Sequence, residues 1–209
     1  MLCAENRQLC GETVVSKEKE RRVLLPEGID PSGRSLCDYW QKIKGAELVP
    51  NRSALRPSEL VQLLPNLLIF EYRESGKLIC RLAGTSLAEK WGIELTGTDL
   101  LDFYDKNLRA PAGKVFDMLR RQPCGLCVRQ KLLSKHNSPF IAELIFLPLR
   151  GHDHQISQLI AIAIVLEHEE SRGSTPKALL SRPVTFDFFD IGAGLPSSLS
   201  ASKHLTAMG

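Results

Sequence analysis

The sharpest chemical signal in the sequence is Cys124–Gly125–Leu126–Cys127. Two thiols at this spacing can chelate zinc or close a redox disulfide. A structural zinc site takes four ligands, however, and the chain has no second pair of this kind. On a strand, positions three apart point to opposite faces, and only a turn at Pro123–Cys124–Gly125 would let the thiols meet. Cys124 and Cys127 are therefore expected to be small apolar residues, with a thiol- or metal-dependent redox sensor as the alternative. His152–Asp153–His154, with His168 further on, could ligate a metal, but a polar hairpin tip leaves such side chains solvated. No metal site is expected.

Reaction chemistry has even less to stand on. The chain holds no Gly-x-Ser-x-Gly elbow, no glycine-rich phosphate loop and no His-Glu-x-x-His. The acids Glu71, Glu94, Asp99, Asp102 and Glu143 show no pairing that suggests a general acid and base. A binding protein is expected, not an enzyme.

Bulk properties agree with a folded binder. With 209 residues, 43% hydrophobic and 24% charged, the chain can bury a core of one domain plus extensions. Its net charge of +3 is modest. The most basic stretch, Lys17 to Arg22, interleaves Glu18 and Glu20, which reads as a solvated arm and argues against nucleic acid. No apolar segment of the secretory kind follows Met1. The longest apolar run, Leu159 to Leu166, is far short of the roughly 20 residues that span a bilayer. The six cysteines form no tight framework, so reduced thiols and a cytoplasmic location are expected.

The elements that must position any site are legible in outline. Residues 1–33 read as a flexible arm. Residues 169–209 read as a mostly disordered tail, except that 184–191 (VTFDFFDI) could dock or fold back as a strand. Between them, 34–168 opens with a helix at Ser35–Leu36–Cys37–Asp38, a capping-box pattern, followed by Leu36, Tyr39, Trp40 and Ile43 at helical spacing. A short helix is expected from Pro57 to Pro65. A hairpin follows, Leu67–Tyr72 and Leu78–Ala83 around Arg73–Lys77. Next come a short helix from Thr85 to Trp91 and a longer one with Leu108, Ala112, Val115, Phe116 and Leu119 on one face. Strands are expected over Leu126–Leu133, Phe140–Leu149 and Ile156–Leu166. The class is α+β: a five-stranded antiparallel sheet with helices packed on one side, preceded by an N-terminal helix.

This order resembles the PAS domain, and the segment Trp91 to Phe103 (WGIELTGTDLLDF) resembles the PAS stretch in which a small helix ends at Gly and an acid and a second Gly precede a hydrophobic turn. More narrowly, the chain from about 36 to 166 is similar to a single-domain PAS subfamily of alphaproteobacteria. The resemblance rests on Asp38–Tyr39–Trp40, Pro50–Asn51–Arg52 with Pro57, Leu63–Leu64–Pro65, Arg81–Leu82–Ala83–Gly84–Thr85, and Gly92 with Thr96–Gly97. It implies a sheet curved around a small pocket, and a signalling role through a ligand, a homodimer or a protein partner. The expected pocket is lined by Leu82, Trp91, Phe103, Phe116 and Leu144. Arg81 stands at its edge, unless that side chain only pairs with a surface acid. Tyr39 and Trp40 are the expected interface. The pocket's cofactor stays open, with haem and flavin disfavoured. No histidine lies between 85 and 121, where a PAS haem ligand would sit, and the Asn-Cys-Arg-Phe type motif of flavin photosensors is missing.

Overall fold

The computed structural model describes residues 23–91, 94–133, 139–168 and 183–196. Six strands form one antiparallel sheet: β1 (Leu67–Tyr72), β2 (Leu78–Ala83), β3 (Gly125–Leu133), β4 (Pro139–Arg150), β5 (Ile156–His168) and β6 (Pro183–Phe189). Their spatial order is β2-β1-β5-β4-β3-β6. Both faces of the sheet are covered, which explains why β4 and β5 read as nearly continuous apolar runs and not as alternating ones.

One face carries α2 (Thr85–Trp91), a 3-10 turn at Leu100–Phe103 and α3 (Lys106–Arg121). Here Leu68, Phe70, Leu126, Val128, Leu144, Phe146 and Leu159 meet Leu87, Leu100, Phe116 and Leu119. The other face carries α1 (Pro31–Lys44) and the 3-10 turns after it, whose Leu36, Trp40, Leu55 and Leu60 pack on Ile69, Ile145, Leu147 and Ile160. The expectation of helices on one side thus holds for α2 and α3, while α1 seals the opposite face.

Several expected boundaries move, each for a local reason. The helix α1 begins at Pro31, inside the segment assigned to the arm, because Asp30 caps it: its carboxylate accepts from the Ser32 amide at 2.7 Å, and Pro31 occupies the first turn. Ser35 lies within the helix and donates its hydroxyl to the Pro31 carbonyl. The region from 52 to 66 makes three 3-10 turns, Arg52–Ala54, Pro57–Glu59 and Leu64–Asn66, in place of the expected short helix. Pro57 and Pro65 each open a turn, since a proline can start a helix but not continue one.

The hairpin forms as read, with Gly76 at φ +78° in its turn, a conformation that favours glycine. The 184–191 segment supplies β6, which adds a sixth strand to the edge of β3 from Gly125 to Gln130. Residues 1–22, 169–182 and 197–209, with the arm and tail assignments that fall on them, lie outside the described residues.

Candidate functional site

The space between α3 and the sheet, where the pocket was expected, is largely filled by aromatic rings. Phe116 of α3 stands edge-on to Phe146 of β4 at 5.2 Å between centroids, and Phe70 of β1 lies 6.0 Å from the same ring. The small residues Ala142, Ala161 and Ala163 on this face leave room for those rings. Phe116 and Leu144 are buried in this core and Phe103 packs against it. These three expected residues share one environment, and Phe116 also lines the two clefts beside α3.

Two others do not join them. Leu82 is 38% exposed. The β1–β2 register slips between Ile69 and Phe70, so that Ile69 faces Leu82 while Phe70 faces Cys80. The extra residue, Arg81, is a bulge, and it turns Leu82 away from the face that Leu78 and Cys80 occupy. Arg81 itself is exposed and pairs with Glu71 at 3.1 Å, the surface-acid alternative. The side chain of Trp91 lies outside the described residues.

The expected interface residues are inside the domain. Trp40 is fully buried, and its indole N–H donates to the Pro148 carbonyl at 2.8 Å. The Tyr39 hydroxyl accepts from the Arg56 amide at 2.7 Å. The two cysteines of the Cys-x-x-Cys pair point into separate cores, Cys124 toward α3 and Cys127 toward α1. Burial pushes each thiol up to about 12 from 9.0, which makes neither a ready nucleophile nor a ready metal ligand. Among the described residues, no group of three or more His, Cys, Asp or Glu side chains could hold a metal.

Space for a ligand lies elsewhere, on two faces of α3. The smaller cleft, of about 130 Å³, runs between α3 and the β3–β6 pair. Leu108, Ala112 and Val115 of α3 form one wall, and Leu126 and Val128 of β3 with Pro183 and Phe186 of β6 form the other. Tyr104 is the one polar lining side chain among the described residues, and burial holds its phenol above the usual tyrosine range, so it is a neutral hydroxyl. The larger cleft, of about 330 Å³, lies between α3 and the β1–β2 hairpin and is lined partly by Arg73, Lys114 and Arg120.

Two positioning carboxylates were missed by the sequence reading, which found no acid in a pairing pattern. Asp99 is buried and accepts from the amides of Leu78 and Leu101, both at 3.1 Å, so it ties the edge strand to the 3-10 turn before α3. An Asp directly before an apolar turn is the available signal, that of an N-cap. Glu143 is fully buried on β4. It accepts from Arg129 at 3.0 Å and from the Asp30 amide at 2.9 Å, while Arg129 also donates to the Gly28 carbonyl. The Arg129–Glu143 register was readable only after β3 and β4 had been paired.

The family model described as PAS domain matches residues 29–163. No curated protein matches the chain. Among solved structures, the chain is similar to one reported as "Flavin Analogue Sheds Light on Light-Oxygen-Voltage Domain Mechanism", at 17% identity and a TM-score of 0.41, over 53% of this chain and 83% of that one. A PAS domain from Colwellia psychrerythraea is similar at 11% identity and a TM-score of 0.40, over 53% of this chain and 96% of that one. Assignment rests on the family model, which covers more than half of the sequence. The chain belongs to the PAS-domain family.

Proposed function

We propose that this PAS domain is a non-catalytic sensory module. It takes a small, largely apolar ligand into the cleft between α3 and β3, and relays occupancy through β6 to a protein partner or a second copy of the chain. The observation that carries this reading is the shared wall. Pro183 and Phe186 of β6 line the same cleft as Leu108, Ala112 and Val115 of α3. A ligand there touches the last strand of the sheet directly.

The volume of about 130 Å³ suits a molecule of benzene size, since cavities of about 150 Å³ hold benzene. Tyr104 supplies one hydroxyl to orient a polar substituent. When β6 loosens, the edge of β3 offers unpaired backbone groups, the surface that a strand from a partner or from a second copy completes. The reading places the protein in the cytoplasm, where buried thiols stay reduced, and among the alphaproteobacterial PAS proteins it resembles.

Phenol tests this directly on the full chain. Saturable binding is expected, with a change in hydrogen exchange confined to β6 and its β3 partners. Ala112→Phe should abolish both by filling the cleft, and light scattering should follow any change in subunit number. Phenol that does not bind, or that binds without altering β6 exchange, would sink the proposal.

A further inference from the structure

We infer that the cleft between the β1–β2 hairpin and α3 is a second, separate binding site, one for a small organic anion with an apolar body. Phe116 lines both this cleft and the phenol-sized one, and the remaining α3 residues that line the two lie on different faces of the helix. Positions 108, 112 and 115 face β3, whereas 110, 113, 117 and 120 recur at helical spacing toward the hairpin. Ala110 and Gly113 contribute almost no bulk there, and this is what opens the space. Its volume of about 330 Å³ falls at the lower end of ligand pockets, which run from about 300 to 1,000 Å³.

The floor is apolar and the rim is charged, the usual division of labour in a ligand pocket. Leu78, Leu101 and Phe116 form the floor, while Arg73, Lys114 and Arg120 face Glu74 and Asp117 at the rim. The acids are oversubscribed. Glu71 serves both Arg73 at 3.2 Å and Arg81 at 3.1 Å, and Asp117 serves both Arg120 at 3.1 Å and Arg121 at 2.7 Å. Each carboxylate thus neutralises one of two guanidinium groups, and Lys114 has no ion-pair partner among the described residues. Glu74 offsets one of the remaining charges. The surplus is positive and lies beside low-dielectric walls, which concentrate its field on the cleft.

The groups behind the rim are already committed, so the site is built in advance. Tyr72 donates its hydroxyl to the Phe116 carbonyl at 2.6 Å, and its ring lies under Arg120 at 5.6 Å. That arrangement holds the guanidinium in place over the cleft. Behind the floor, the Asp99 carboxylate is spent on the amides of Leu78 and Leu101. An anion entering the cleft therefore meets donors with spare hydrogen-bonding capacity, since a guanidinium carries five N–H groups.

The probes are benzoate and phenyl phosphate, with benzyl alcohol as the uncharged control, titrated into the full chain at low salt and followed by calorimetry. At least one anion should saturate in the millimolar range, and the tighter of the two identifies a carboxylate or a phosphate site. Benzyl alcohol should bind at least about tenfold more weakly, as expected when a charged hydrogen bond is lost. Lys114 is exposed, so Lys114→Gln should fold normally and weaken anion binding about fivefold or more, with Arg73→Gln as a second variant.

Ala112→Phe, at a position that lines only the other cleft, should leave anion binding within about twofold of the parent. Four results would each overturn the assignment: no saturation of either anion by about 10 mM, equal binding of the alcohol, indifference to both charge substitutions, or loss of binding in Ala112→Phe. The last would place the ring in the cleft between α3 and β3. Failure of phenol with success of the anions separates this inference from the proposed function.

Discussion

At the scale of single residues, burial decides what the polar and sulfur groups can do. Cys37, Cys124 and Cys127 are all raised to about 12 from 9.0, in each case mainly by burial. Three units make the thiolate about a thousandfold rarer at a given pH. Iodoacetamide at neutral pH should therefore leave these three residues unmodified in the native chain and label them on unfolding, as peptide mass mapping would reveal. Because folding favours the protonated thiol, the contribution to stability is complete below pH 9.0 and declines as the pH rises toward about 12. Urea midpoints should fall over that interval. Glu143 is a buried carboxylate whose loss strands Arg129 and the Asp30 amide. Glu143→Ala should destabilise by about 3 kcal/mol in denaturant titrations.

At the scale of elements, the sequence showed the strands more faithfully than the faces they present. The hairpin boundaries were legible because β1 and β2 are separated by a short turn with Gly76. What the sequence hid was the bulge at Arg81, which moves Leu82 out of the expected pocket, since period-two reasoning assumes that the ladder never slips. The start of α1 was misplaced because two capping patterns compete within six residues, and only the packing of Gly28 and Asp30 against Arg129 and Glu143 chooses the earlier one. Of the expected pocket residues Phe116 lines both clefts, while the gap between α3 and the sheet holds rings from three elements, which spacing cannot foresee because it tells only which side chains share a face. β6 was an open alternative because an apolar island reads equally well as a docking peptide. Its attachment depends on Gly125, where a Cβ would run into the Phe189 ring. Gly125→Ala should cost about 1–3 kcal/mol by overpacking. Phe189→Ala should cost about 3 kcal/mol, and the double variant less than the sum, as a denaturation cycle would measure.

At the scale of the whole molecule, the sheet has a stiff centre and guarded margins. β4 and β5 are buried on both faces and paired on both sides. The outer edge of β2 is partly closed by Cys80, whose amide and carbonyl bond to Thr98 and Gly97, and β6 closes the edge of β3. Such an arrangement orders local opening. Native-state hydrogen exchange should be slowest in β4 and β5, faster in β2, and fastest among the strands in β6. A signal carried by β6 would then cost little of the global stability, because the strand that moves lies at the margin of the sheet.

The bond from Trp40 to Pro148 has one further consequence, an optical one. The chain has only two tryptophans, and Trp40 reports whether α1 is seated, since its indole is dry and hydrogen-bonded to the strand beneath. With Trp91→Phe in place, the remaining emission should be blue-shifted in the native protein and move to the red whenever α1 lifts from the sheet. Fluorescence would then follow the face with α1 while hydrogen exchange follows β6, so movements of the two layers could be timed separately in one molecule.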